Sequence, residues 1–278
     1  MKNGTSKPTS EVGDAMPITF SAISNKEDWA GSSWTIAKDD DLAELIARVA
    51  LGQSRYVRRV LKETGFAAPD PKETELSGAL KLLTANDPKK PWHRDGWMFQ
   101  VISWIAANLQ APEDLIAPPH MIHAHKGFDG IHVRVDPKTH QIISVVICEE
   151  KATDNARKMV RDRIWKEFKG MQSGERDNEL AAEITRLLET AKGIDVDEAV
   201  ETVVWKNARH YRIAITIDDN HVDAEGQKEL FDGYSAVVGG EIVRRRGEVL
   251  HLDNMRAWMA ALADNAVERA KAMVAANV

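Results

Sequence analysis

The sequence predicts a mixed α/β protein, a sheet flanked by helices, with a helical section ahead of the core. Three observations predict it. Trp97, Met98, Val101, Ile102, Ile105 and Leu109 recur at helical spacing, broadened by Trp104 into a mostly buried stripe. Residues 130–135 and 141–151 read as two extended segments joined by Asp136-Pro137-Lys138-Thr139, which is turn chemistry for a hairpin. Strand signals return late, over 210–217 and 243–252, separated by helical segments.

Taken in order, residues 1–27 are rich in Lys, Asn, Ser, Thr, Pro and Gly and read as a flexible tail. Residues 28–90 read as a helical N-terminal section. Asp39, Asp40 and Asp41 place acid at the start of a helix carrying Leu42, Leu45, Ile46 and Val49. Helices are expected over 54–62 and 75–83, among Pro69, Pro71, Pro88 and Pro91. The core spans 91–278 and opens with the Trp97 helix, which ends before Pro112. An extended segment over 120–125, the hairpin, and a helix over 155–169 come next. After a polar loop at 170–178, helices fit 179–191 and 197–206, then a strand at 210–217 and a short helix at 227–234. A strand at 243–252 and a long closing helix at 255–274, capped by Asp253, complete the chain.

Composition narrows the function. Hydrophobic residues make up 43% and charged residues 29%, as in an ordinary globular protein. The single cysteine, Cys148, excludes an intrachain disulfide and a cysteine-built zinc site, and suits a reducing compartment. With no secretory signal and no membrane-length apolar run, the expectation is a cytoplasmic protein without membrane partners. A net charge of −6 argues against non-specific nucleic-acid binding spread over the whole surface, so any phosphate-binding charge must be local. There is no Walker-type glycine-rich loop and no serine-hydrolase elbow.

The chemistry concentrates in Gly127-Phe128-Asp129-Gly130-Ile131-His132-Val133 and Val145-Val146-Ile147-Cys148-Glu149-Glu150-Lys151. Alternate side chains of a strand share a face, so Glu149 and Lys151 point the same way and Glu150 the other. Asp129 stands at the start of the partner strand, within reach of Glu149. Two carboxylates offer hard oxygen ligands to Mg²⁺, with the Glu150 main-chain carbonyl as a third; a lysine can orient water and stabilise transition-state charge. Mn²⁺ can substitute. From Lys151 to Lys169 seven basic residues face three acids, and Arg157, Lys158 and Arg161 occupy the turns nearest the site, where a phosphate backbone would pass. His120, His123 and His125 could be metal ligands, though no fourth ligand is evident, and Arg244, Arg245 and Arg246 could meet phosphate or simply end a strand.

Across residues 92–170 this arrangement resembles the PD-(D/E)XK nuclease superfamily, which has the restriction-endonuclease-like fold. Asp129 matches the metal-binding aspartate, Glu149 the second acid and Lys151 the lysine; Phe128 replaces the eponymous proline. The family's core opens with a helix that contributes an acid or a glutamine to the site, and on the matching helix here Gln100 and Asp95 are the candidates to assist. Within that superfamily the motifs are similar to nucleases of bacterial anti-phage defence, the Hachiman-type nuclease subunit among them. The resemblance implies Mg²⁺-dependent phosphodiester hydrolysis, of DNA in the first place and with RNA open. It also implies a separate helicase or ATPase partner. Two alternatives stay open: a non-catalytic nucleic-acid-binding or assembly subunit on the same fold, and an enzyme acting on a small phosphorylated metabolite.

Overall fold

The computed structural model describes residues 16–26, 28–62, 67–125, 127–136, 138–139, 141–189, 196–197 and 208–276. Seven strands make one mixed sheet: β1 (Ile18–Asn25), β2 (Trp29–Ile36), β3 (Leu115–Ile116), β4 (Gly130–Val135), β5 (Ile142–Lys151), β6 (Arg209–Ile217) and β7 (Arg245–His251). Their spatial order is β1-β2-β7-β6-β5-β4-β3. The middle of the sheet is parallel, because helical crossovers return the chain from β5 to β6 and from β6 to β7. Short connections make the β1–β2 and β4–β5 neighbours antiparallel.

Helices cover both faces. On one lie α1 (Asp39–Ala50), α2 (Ser54–Lys62), α3 (Glu73–Leu83), α4 (Trp92–Gln110) and the closing helix, packed with Trp34, Ala214 and Leu250 of the sheet. The other face carries Ile131, Val133, Val145, Ile147, Tyr211, Ile213, Ile215 and Val249 against α5 (Ala156–Met159), α6 (Trp165–Ser173), α7 (Asp177–Leu188) and the segment with Leu230, Phe231 and Tyr234. That segment holds α8 (Ala224–Leu230) and α9 (Tyr234–Val237), and the closing helix is α10 (Met255–Ala275). Central strands buried on both sides follow from this layering. No helix among the described residues is long and apolar enough to cross a membrane.

Several boundaries differ from the sequence reading. The segment read as the end of a tail contains β1, and the helical section begins with β2, paired from Ile18↔Ile36 to Asn25↔Trp29. Ser and Thr dilute the apolar alternation of β1, an edge strand whose order comes from its ladder with β2. Residues 120–125 form turns, not a strand. β7 starts at Arg245, after a 3-10 turn over Ile242–Arg244. Asn254, not Asp253, caps α10, its side chain accepting from the Ala257 amide at 3.1 Å. The helix expected over 197–206 lies outside the described residues, apart from residue 197.

Two glycines let β2 join the sheet. Gly31 pairs with Gly247, and a Cβ on Gly31 would lie 1.7 Å from the Gly247 carbonyl oxygen. Only residues without side chains permit that approach.

Between α5 and α6 the helix widens into a π turn over Val160–Ile164, where the Trp165 amide bonds the Val160 carbonyl. The sequence carries the reason. Ala156, Val160, Ile164 and Phe168 repeat every fourth residue and are all buried. On a regular helix such a repeat drifts by about 40° per step, and a wider turn takes up the drift.

Candidate active site

Strand parity and hairpin register build the site. Gly130 pairs with Cys148, which puts Asp129 beside Glu149 at the end of the sheet. Val145, Ile147, Glu149 and Lys151 share the face toward α5–α7, as the alternation predicts. Lys151 Nζ lies 2.8 Å from Glu149 Oε2 and also in contact with Asp129 Oδ2. Asp129 is further fixed by the Glu150 amide, which donates to Oδ2 at 3.0 Å, and by Gln100 Nε2, which donates to Oδ1 at 2.9 Å. Thus Gln100, Asp129, Glu149 and Lys151 converge on one point from α4, the β4 start and β5.

Electrostatics at that point call for positive charge. Glu149 is 4% exposed, and burial pushes its carboxyl up to about 7 against the pull of Lys151. Burial alone would depress the Lys151 ammonium, but Glu149 and then Asp129 hold it above its ordinary value. Two hard oxygen donors, Asp129 and Glu149, directed at a shared point fit a divalent ion such as Mg²⁺.

Three of the four open into a cleft of about 660 Å³, with Gln100 behind Asp129. Asp129, Glu149 and Lys151 line its floor, and Met159, Arg163, Glu167, Arg176 and Glu179 its helical wall. His125 and Gly127 complete the rim; a side chain on Gly127 would strike the His125 ring at 2.6 Å. Arg176 is committed: it bonds Glu179 Oε2 at 2.7 Å, approaches Glu167 at 3.6 Å and lies 4.4 Å over the Phe128 ring. Phe128 is itself buried.

Other residues singled out from the sequence lie elsewhere. Glu150 contributes its amide, but its side chain points to the opposite face, as parity requires. Arg157, Lys158 and Arg161 do not line the cleft. Arg157 donates to the Leu230 and Asp232 carbonyls, each at 3.1 Å, tying α5 to the end of α8. Lys158 and Arg161 both pair with Asp162, at 2.8 and 2.7 Å. Asp95 is buried between Arg94 and Arg256, at 2.7 and 2.6 Å, away from the floor. His120 and His125 stack with ring centroids 3.5 Å apart, while His123 bonds the Leu82 carbonyl at 2.9 Å, so the three form no ligand set. Arg244 and Arg245 are spent on backbone carbonyls, and Arg246 pairs with Glu248 at 2.5 Å. A separate acidic cluster, Asp219, His251 and Asp253, is largely exposed and already joined by His251 Nε2, 2.9 Å from Asp219 and 3.5 Å from Asp253.

Behind the site is a buried polar network that the sequence reading missed. Ser103 donates to Glu150 Oε1 at 2.6 Å, and Arg212 reaches Ser103 at 2.9 Å and Glu150 at 3.4 Å. Arg212 also donates to Glu248 at 2.6 Å, and Ser32 donates to Glu248 at 3.2 Å. Burial pushes Glu150 up to about 8 despite Arg212. The network braces β5 from behind, so the strand carrying Glu149 and Lys151 is held on both faces. Cys148 is buried, its thiol pushed up to about 12 by burial, which leaves it unreactive.

In comparison with known proteins, no family model matches the chain and no curated protein matches it.

Proposed function

We propose that the protein is a Mg²⁺-dependent nuclease of the PD-(D/E)XK type, built on a restriction-endonuclease-like core and acting on DNA. The observation that carries this reading is the convergence of Asp129, Glu149 and Lys151 on one end of a cleft, with Gln100 holding Asp129 in place. Asp129 and Glu149 would hold the cation, with the Glu150 main-chain carbonyl as third ligand. When bound, the cation supplies Lewis acidity at a phosphoryl oxygen. Lys151 keeps its proton under the field of both carboxylates, and so presents a fixed ammonium to the attacking water and to developing charge. Gln100 and the Glu150 amide fix the Asp129 carboxylate, leaving it little freedom to rotate.

Cells that carry such an enzyme must restrain it, and the motifs' similarity to anti-phage nucleases supports a role in bacterial defence in the cytoplasm. The sequence has no ATP-binding loop, so translocation along DNA would fall to a separate helicase or ATPase partner.

The test is cleavage of single- and double-stranded DNA, and of RNA, by the purified full chain with Mg²⁺ or Mn²⁺ and with chelator. Lys151→Ala and Asp129→Ala should each lower the rate by on the order of 100-fold or more. If both variants cleave like the wild type, the site is wrong. RNA cleavage in place of DNA would reassign the substrate.

A further inference from the structure

The cleft holds more acid than base: Asp129, Glu149, Glu167 and Glu179 against Lys151, Arg163 and Arg176. A polyanion entering it must find a cation not already paired. Lys151 is shared by the two floor carboxylates, and Arg176 is held by two glutamates and the Phe128 ring. Arg163 differs: among the described residues it has no hydrogen-bond or ion-pair partner, and it is exposed on the cleft wall. Its neighbours Arg161 and Lys158 are tied to Asp162.

The helix explains why this residue, and not Arg157 or Arg161, meets the cleft. Arg163 lies within the π turn, four residues after Met159 and four before Glu167, and all three line the wall. The same widening that keeps Val160 and Ile164 buried keeps this second every-fourth row on the opening. π turns are uncommon and concentrate at functional positions. Arginine's planar fork suits a phosphate better than an ammonium does.

We propose that Arg163 is the substrate-positioning residue of the cleft, its guanidinium binding a DNA backbone phosphate next to the scissile one. The assignment rests on the nuclease reading above. It predicts that Arg163 acts in substrate binding, while the chemical step belongs to Asp129, Glu149 and Lys151.

The experiment is single-turnover cleavage of labelled DNA by excess full-length protein over a series of salt concentrations, comparing wild type, Arg163→Ala, Arg163→Lys and Arg161→Ala. For Arg163→Ala the half-saturating protein concentration should rise about 10-fold, with the limiting rate kept within about 2-fold. The slope of log affinity against log salt should shrink by about 0.9 on duplex or about 0.7 on single strands. Arg163→Lys, which keeps the charge, should restore the slope, and Arg161→Ala should match the wild type. An unchanged slope in Arg163→Ala overturns the assignment, as does a fall in limiting rate with unchanged half-saturation. Cleavage of RNA but not DNA overturns DNA as the occupant. If the wild type cleaves nothing, the nuclease reading fails, and anisotropy of the same labelled DNA decides Arg163 alone. A reduced salt slope in the alanine variant keeps the phosphate contact; an equal slope, or no binding by the wild type, removes it.

Discussion

Replacing Glu149 with glutamine keeps the shape of the side chain but removes its titration and the charge that faces Lys151 at 2.8 Å, so its pH dependence is calculable. The carboxyl moves from an ordinary 4.5 to about 7 in the folded protein, chiefly through burial. Between those values the native state holds a proton that the unfolded chain has released. Stability therefore falls as pH rises through this window, and levels off above about pH 7. A shift of that size corresponds to about 3 kcal/mol at full development. Glu149→Gln mimics the protonated form at all pH values, so the variant should gain on the wild type by up to about 3 kcal/mol as pH rises from about 4.5 to about 7. Urea unfolding of both proteins across that range, with chelator present, reads the difference directly. Adding Mg²⁺ should narrow it above about pH 7, because only the ionised wild type gains a ligand for the cation. A difference between the two proteins that stays constant with pH would refute the reasoning, because Glu149 would then titrate as an ordinary carboxylate.

Three other variants probe the frame of the site. Arg157→Ala loses two 3.1 Å bonds to backbone carbonyls of the α8 end, so urea unfolding should show a loss of about 1–2 kcal/mol while the salt slope of DNA binding stays at the wild-type value. Ser103→Ala removes the 2.6 Å bond to Glu150 Oε1 and should lower stability by about 1–3 kcal/mol. That loss should be larger above pH 8 than below it, since Glu150 ionises near there and the lost bond favours the charged form. Gly31→Ala would put a methyl 1.7 Å from the Gly247 carbonyl oxygen, where no rotamer offers escape; soluble yield should collapse, or unfolding show a loss above about 4 kcal/mol. A melting temperature near the wild type for that variant would contradict the close strand approach.

The floor of the cleft was legible because its information is local. Strand parity placed Glu149 and Lys151 together, and the Asp-Gly at the head of the partner strand placed Asp129 beside them. Gln100 was one of two candidates from the same helix, and only the packing distinguishes it: Asp95 is fully buried beneath two arginines. The cleft wall was not legible. Its helix changes pitch at Val160–Ile164, and the carbonyl acceptors that capture Arg157 lie more than seventy residues away in sequence. His210, Arg212, Ala214 and Thr216 look like the wet side of a half-exposed strand. Arg212 and Thr216 are nonetheless buried, because α4 and its neighbours cover that face. Alternation reports which residues share a side, but not whether a second layer covers it. β1 was misread for the reverse reason: its apolar content is too low to announce a strand, and partner hydrogen bonds supply what its side chains do not.

The join between β2 and β7 has a consequence for the making of the protein. Ser32 and Glu248 are 216 positions apart, yet they share one buried hydrogen bond, and Glu248 in turn anchors the arginine behind Glu150. The ribosome must therefore translate past residue 248 before the brace beneath β5 can be assembled. On the nuclease reading, a nascent or prematurely terminated chain would carry Asp129, Glu149 and Lys151 without the support that aligns them. Lateness of assembly would then shield the cell's own genome while the polypeptide is unfinished.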